Sequence, residues 1–426
     1  MNSFEKLKLS KQLQIAVSNA GFSQPTSLQS KIFSRINGGQ DLVAVAPEGA
    51  GKSTSLILAS LNKIKHTEEI APRVLVLVSS KERGQSLVEQ FHSLNRNKSL
   101  RIYGLFHDEG TLDAQVLEVT DGVDIIIAQP DRAKSVYLKL GLNLNKLQLF
   151  IVDDADEIVK NGLQLPVSEL GRSTPKAQNL VFSSVYHGKI ARMLSYYMEE
   201  FSVIEIDELE EKDLKCIDQI RYQVPNFKTK LNLLELLLQD KEVFDKVLVS
   251  VNSKFTAETV YKLLKTKDVG LTTIKCGAFS NDDIEGAEDF LLNPKKSILI
   301  VVQEDLENLD TSKIPFLMFF DLPDEENLYQ QKVTWFGEQQ NDQMALVLLT
   351  DLELSEMKKI EQELGLRIPE MDLPDGLFIE EEIKRKKVEQ EEQEDSSRGG
   401  AFHEKKAKNT KTENIRPSER YNKYKK

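Results

Sequence analysis

Short, wholly apolar runs alternate along this chain with longer stretches whose apolar positions recur at helical spacing. "DLVAVA" (41–46), "RVLVLVSS" (73–80), "VDIIIAQP" (123–130), "LQLFIVDDAD" (147–156) and "NLVFSSV" (179–185) are the apolar runs of the first half. "KQLQIAVSNAG" (11–21), closed by Gly21, and "KERGQSLVEQFHSL" (81–94) have the helical spacing. Strands without polar alternation, separated by helices, predict a parallel sheet buried on both faces. A charged break, "DELEEKDLKC" (207–216), interrupts the rhythm, which then restarts. "KVLVSV", "LTTIKC", "SILIVV", "FLMFFDLP" and "MALVLLT" are the second set of strands, with "SKFTAETVYKLLK" and "DDIEGAEDFLLN" as helices between them. The pattern predicts two tandem α/β domains, over 1–207 and 218–366. A charged tail over 367–426, mostly without structure, is expected to follow.

Composition changes this picture little. The 426 residues suit two or three domains. Apolar content of 40% and charged content of 29% fit a globular body with a polar end. In that end, "EEEIKRKKVEQEEQED" has the charge spacing of a solvated helix, and residues 396–426 carry ten Lys/Arg against three Asp/Glu, a net of +7. The whole chain has a net charge of −12, so any nucleic-acid contact must be local. The basic end is open to two readings, a solubilising segment or an RNA tether. The two cysteines, Cys216 and Cys276, and the five scattered histidines lack metal-site spacing. No run approaches a membrane span and the first ten residues are too polar for a secretory signal, so a cytoplasmic protein is expected, without membrane contact.

Candidate chemistry sits at two strand ends. After "DLVAVA", Gly49, Gly51, Lys52 and Ser53 stand at a strand-to-helix turn. Such a turn lets backbone N–H groups approach phosphate, with Lys52 for the β/γ-phosphates and Ser53 for Mg²⁺. After "LFIV", Asp153 is the natural partner for the metal, through water, and Asp154 the group to orient or deprotonate an attacking water. The plainer readings are a glycine-rich turn with a chance GKS and an acidic loop after a strand. The flanking elements and the pairing of the two motifs weigh against both.

In this order and frame the motifs resemble those of DEAD-box RNA helicases, over residues 4–365. "GFSQPTSLQ" (21–29) resembles the family's Q motif, "APEGAGKS" its A-x-T-G-x-G-K-T form, and "DDAD" its D-E-A-D. "SSKERGQS" stands where P-T-R-E-L-A is expected, "AQPDRA" where T-P-G-R is, and "FSSV" where S-A-T is. In the second domain "VSVNSK" resembles F-V-N-T-K, and "FFDLP" the strand end before the last motif. The resemblance implies two RecA-like P-loop domains. It implies ATP and Mg²⁺ as ligands, with adenine at Phe4 and Gln29. The phosphates fall on Gly49, Ala50, Gly51, Lys52, Ser53 and Thr54, and the metal on Ser53 and Asp153. It places catalysis on Lys52, Asp153 and Asp154. RNA is held through its backbone by Lys81, Gly104 and Arg132, without sequence preference. A monomer with a protein activator is expected.

The departures lie on the catalytic side. In "VVQEDLENLD" the family's Asp, Arg and Gly have become Gln303, Glu307 and Asn308, leaving Asp310. In "QKVTWFGE" Trp335 and Glu338 stand where two arginines belong. An arginine finger is worth about 10³–10⁵ in rate in related NTPases. No arginine lies between Arg221 and Arg367 to replace them. Asp154 is one methylene shorter than the usual Glu, a shortfall of roughly 1 Å that can cost about 10²-fold, and Val185 replaces the coupling Thr. The expectation is ATP-dependent binding and local remodelling of RNA duplexes with weakened hydrolysis. The alternative is an ATP-holding RNA-binding or assembly scaffold. A small-molecule P-loop kinase would need only one such domain.

Overall fold

A computed structural model describes residues 4–64, 71–207, 209, 212, 214–266, 272–275, 287–292, 297–324, 326–334 and 343–380. In the first half the strands are β1 (Leu42–Val45), β2 (Val74–Leu77), β3 (Ile102–Leu105), β4 (Ile125–Ala128), β5 (Leu149–Val152), β6 (Gln178–Ser183) and β7 (Ser202–Glu205). They form one parallel sheet in the order β3-β4-β2-β5-β6-β1-β7. In the second half β8 (Asp218–Val224), β9 (Val247–Val251), β10 (Thr272–Lys275), β11 (Ile298–Val302), β12 (Phe316–Phe319) and β13 (Met344–Thr350) form a parallel sheet in the order β10-β11-β9-β12-β13-β8.

The helices of the first half are α1 (Lys11–Asn19), α2 (Ser27–Asn37), α3 (Lys52–Lys63), α4 (Lys81–Leu94), α5 (Leu112–Thr120), α6 (Pro130–Leu138), α7 (Ala155–Lys160), α8 (Gln164–Arg172) and α9 (Gly188–Leu194). Those of the second are α10 (Phe227–Leu238), α11 (Lys254–Thr266), α12 (Ala287–Leu292), α13 (Gln303–Leu306), α14 (Glu326–Val333) and α15 (Leu354–Leu364).

Successive strand residues point to opposite faces, so each sheet feeds two cores. Leu42 and Ala44 pack with α1 to α4, whereas Val43 and Val45 pack with α5 to α9. In the second sheet Leu248 and Leu299 face α12 to α15, and Val247 and Val249 face α10 and α11. The α/β class with two tandem parallel sheets, each covered on both faces, is thus the one the sequence predicts.

The two halves meet along α15. Lys359 Nζ lies 2.8 Å from Glu48 Oε1, Lys358 Nζ 3.0 Å from Glu205 Oε1, and Glu356 pairs with Lys160. Leu352, just ahead of α15, packs on the core of the first half. Past α15 the chain stays on the second sheet. Ile368 is buried, Met371 N donates to Arg221 O, and Leu373 and Leu377 pack on the α10 side. Glu380 O accepts from Asn226 Nδ2, the residue that caps α10. Residues 367–380, grouped with the tail on sequence, therefore belong to the packed body. The rest of that tail, and the helical reading of its first part, lie outside the described residues.

Candidate nucleotide site

Because every strand is parallel, the loops after β1, β5 and β6 open on one edge of the first sheet, where ligands of such sheets bind. β6 lies between β1 and β5. Its end therefore sits between the glycine-rich turn and "DDAD", and hydrogen bonds link all three. Lys52 Nζ donates to Ala46 O at 2.6 Å, to Pro47 O at 3.3 Å and to Ser184 Oγ at 3.2 Å. Asp156 Oδ1 accepts from Ser183 Oγ at 3.0 Å and from Ser184 N at 3.4 Å. Lys52 is buried, and burial pushes its pKa down, against the raising effect of Asp154, Asp156 and Asp153. The cleft over these groups has a volume of about 530 Å³ and is lined by the turn from Pro47 to Thr54, by Arg83 and by Asp154.

The turn is held from below by α2. Thr26 and Gln29 form a reciprocal cap at the start of that helix, and Thr26 Oγ1 donates to Ala50 O at 2.8 Å. Gln29 Nε2 reaches Gly51 O at 3.5 Å. Gly51 has φ +89°, and a Cβ there would stand 2.8 Å from Gln29 Nε2, so glycine serves both the turn and the close approach. Gln29 is buried, with its amide carbonyl committed to the cap. Here it braces the phosphate turn. Phe4, in a short 3-10 helix over Phe4–Leu7, packs on the core beside α1 and α2.

The Asp pair is where the structure departs most from expectation. Asp153 is fully buried, and burial, then the charge of Asp154, push its carboxyl up to about 7 against the lowering effect of Arg83 and Lys52. Asp154 begins α7 with φ 50°, a left-handed conformation that Asp tolerates better than most residues. Both carboxylates meet Arg83. Its Nε lies 3.0 Å from Asp153 Oδ2 and 2.9 Å from Asp154 Oδ2, and its Nη2 lies 2.7 Å from Asp153 Oδ2 and 2.8 Å from Ser53 Oγ. A magnesium ion held directly by Ser53 and through water by Asp153 would sit about 2.0–2.1 Å from the Ser53 hydroxyl oxygen. The guanidinium fills that position by bridging the same two residues. Arg83 thus stands where the ion is expected, while Asp153 Oδ1 is buried without a hydrogen-bond partner among the described residues.

Arg83 comes from the first half of the chain and contacts the Asp pair and Ser53. The signal was in the sequence: against P-T-R-E-L-A, Arg83 occupies the leucine position. Trp335 and Glu338 lie outside the described residues. Gln303 Oε1 accepts from Asp324 N at 3.0 Å, and Asp310 Oδ1 accepts from Ser312 N at 2.9 Å, so both make local loop contacts.

The residues predicted to hold RNA sit at or near the ends of neighbouring strands β2, β3 and β4. Lys81 Nζ is 3.6 Å from Glu109 Oε1, and Arg132 donates from Nε to Gln115 Oε1 at 2.6 Å and from Nη2 to Gly110 O at 3.1 Å. Both side chains thus flank the loop after β3. Gly104 lies under Phe106, where a Cβ would come within 2.5 Å of the ring, which gives that glycine a packing reason. Among the described residues no group of three or more His, Cys, Asp or Glu could hold a metal, and no helix is long and apolar enough to cross a membrane.

Comparison with known proteins agrees with this geometry. The DEAD/DEAH box helicase family model matches residues 26–193, which hold the phosphate turn, the Asp pair and the β6 end. Over that stretch the chain is similar to the DEAD/DEAH box helicases. It is 21% identical over 390 residues to the RNA helicase CrhR of Synechocystis, covering 91% of this chain and 78% of that one. It is 24% identical over 380 residues to the ATP-dependent RNA helicase DeaD of Klebsiella pneumoniae, covering 88% of this chain but only 58% of that relative. A crystal structure of a DEAD box protein from the hyperthermophile Methanococcus jannaschii superimposes with a TM-score of 0.48 at 22% identity, over 87% of this chain and 99% of that one.

Proposed function

We propose that this chain is a DEAD-box protein that binds ATP in the cleft over Lys52 and holds RNA by its backbone near Lys81 and Arg132, remodelling short duplexes with weak hydrolysis. The observation that carries the reading is the linkage of three motifs through Lys52 and Asp156 at one sheet edge. Lys52 is buried with its amine among carbonyl oxygens that a phosphate can replace as partners. Ser184 ties that amine to β6, and Asp156 ties β6 to the Asp pair, so phosphate contact is communicated across the edge. A cytoplasmic monomer, with a protein activator supplying what the second half lacks, completes the reading.

A second reading, an ATP-holding RNA scaffold that does not hydrolyse, is favoured by a specific contact. Arg83 neutralises Asp154, the group that would orient or deprotonate water, at 2.9 Å. ATP turnover by the full chain, with and without single-stranded or duplex RNA, separates the two. The first reading expects RNA-stimulated turnover that Lys52→Ala abolishes. ATP binding and RNA binding without turnover would leave the scaffold reading. Turnover unchanged in Lys52→Ala would remove the cleft from both.

A further inference from the structure

We infer that the guanidinium of Arg83 takes the place of a divalent cation at this site, so that the chain holds a nucleoside triphosphate as its metal-free anion. This rests on the reading of the cleft as a nucleotide site and specifies which form of the ligand it takes.

The first ground is position. Nη2 of Arg83 bridges Ser53 Oγ at 2.8 Å and Asp153 Oδ2 at 2.7 Å, the hydroxyl and carboxylate that a phosphate-bound cation would share. The second is support. Arg83 is in the first turn of α4, where Ser80 caps the helix by accepting from Arg83 N at 3.2 Å. The side chain therefore leaves a fixed helix end, and its planar fork is held by two carboxylates. The third is unspent capacity. A guanidinium has five N–H donors. Nε and Nη2 are used on Ser53, Asp153 and Asp154, while Nη1 makes no hydrogen bond among the described residues. Arg83 lines the cleft and its side chain keeps 26% exposure, so that group is open to a phosphate oxygen. The fourth is charge. Lys52 and Arg83 bring two positive charges to the cleft without an ion. The guanidinium keeps its charge at any working pH.

Isothermal titration of the full chain with ATP, once in EDTA and once in magnesium, tests this. The wild-type chain is expected to bind with affinities in the two buffers that differ by less than about tenfold. Arg83→Leu is expected to lose more than about tenfold in EDTA and to regain affinity in magnesium, as the vacated Ser53 and Asp153 take the ion. If wild-type binding collapses by more than tenfold in EDTA, Arg83 is no substitute and the inference is overturned, while the nucleotide reading stands. Arg83→Leu with undiminished affinity in EDTA overturns it equally. If neither buffer gives any wild-type binding, the nucleotide reading fails first. Should Arg83→Leu not fold, the wild-type pair of titrations decides alone.

Discussion

Lys230 has 1% side-chain exposure in the second half. Its amine bonds both oxygens of Glu353 at 2.7 and 2.8 Å, with Asp321 at 3.8 Å and the face of Phe320 at 5.1 Å. Removing one partner of such a pair leaves the other desolvated without compensation. Lys230→Ala is therefore expected to lower stability by about 3 kcal/mol, the low end for buried pairs because Glu353 and Asp321 keep partial water contact. Equilibrium urea unfolding checks it, and a loss under about 1 kcal/mol would mean that the cluster relaxes to solvent. The same contrast between a charge and its surroundings explains what was legible at this scale. Lys52, Ser53, Asp153 and Asp154 were found because their spacing is local and their strands are apolar. Arg83 was not recognised, although it stands at an apolar position of the motif, because its partners lie 30 and 70 residues away in sequence.

At the scale of elements, the sequence predicts every interior strand and one outer strand, β10, from "LTTIKC". β3, β7 and β8 were missed, and each is an outer strand of its sheet. An outer strand has one neighbour and keeps water on part of its surface, so "IYGL", "SVIE" and "DQIRYQV" lack the unbroken apolar run that marks a buried strand. α2 was recognised only as a resemblance to the Q motif, although Thr26 and Gln29 spell a reciprocal helix cap. Among helices, α15 has the widest reach, because three of its charged side chains meet the first half. These are half-exposed pairs, each worth up to about 1 kcal/mol and weakened by salt. Replacing both Lys358 and Lys359 with Glu reverses two of them, leaving carboxylates facing Glu205 and Glu48. Small-angle scattering at low salt is expected to show a larger radius for that double variant than for the wild type. The difference should shrink as salt is raised. Identical radii at every salt concentration would assign the contact to Leu352 packing instead.

For the molecule as a whole, the second sheet is closed by what comes after its last helix. Ile368 is 2% exposed, and Leu373, Leu377 and Glu380 run along α10 and its cap. Ending the chain at 366 removes all of this. Ile368 alone is worth about 1.5–3 kcal/mol by burial. A chain ending at 380 is expected to unfold at the urea midpoint of the full chain, and one ending at 366 at a clearly lower midpoint. Equal midpoints for all three would show that the strap is decorative. The sequence pattern ended the body at 366 because the strap has no periodicity: the apolar side chains that pack, Ile368, Leu373 and Leu377, recur at neither helical nor strand spacing. The order of the first sheet has a consequence for synthesis. β1, which carries the phosphate turn, pairs only with β6 and β7. From Val45 to Glu205 the ribosome must add 160 residues before that strand has both neighbours. At about 5–20 residues per second this takes roughly 8–32 s. Throughout that interval the apolar segment 42–46 lacks at least one of its two neighbours, a long window in which a nascent-chain chaperone can engage it.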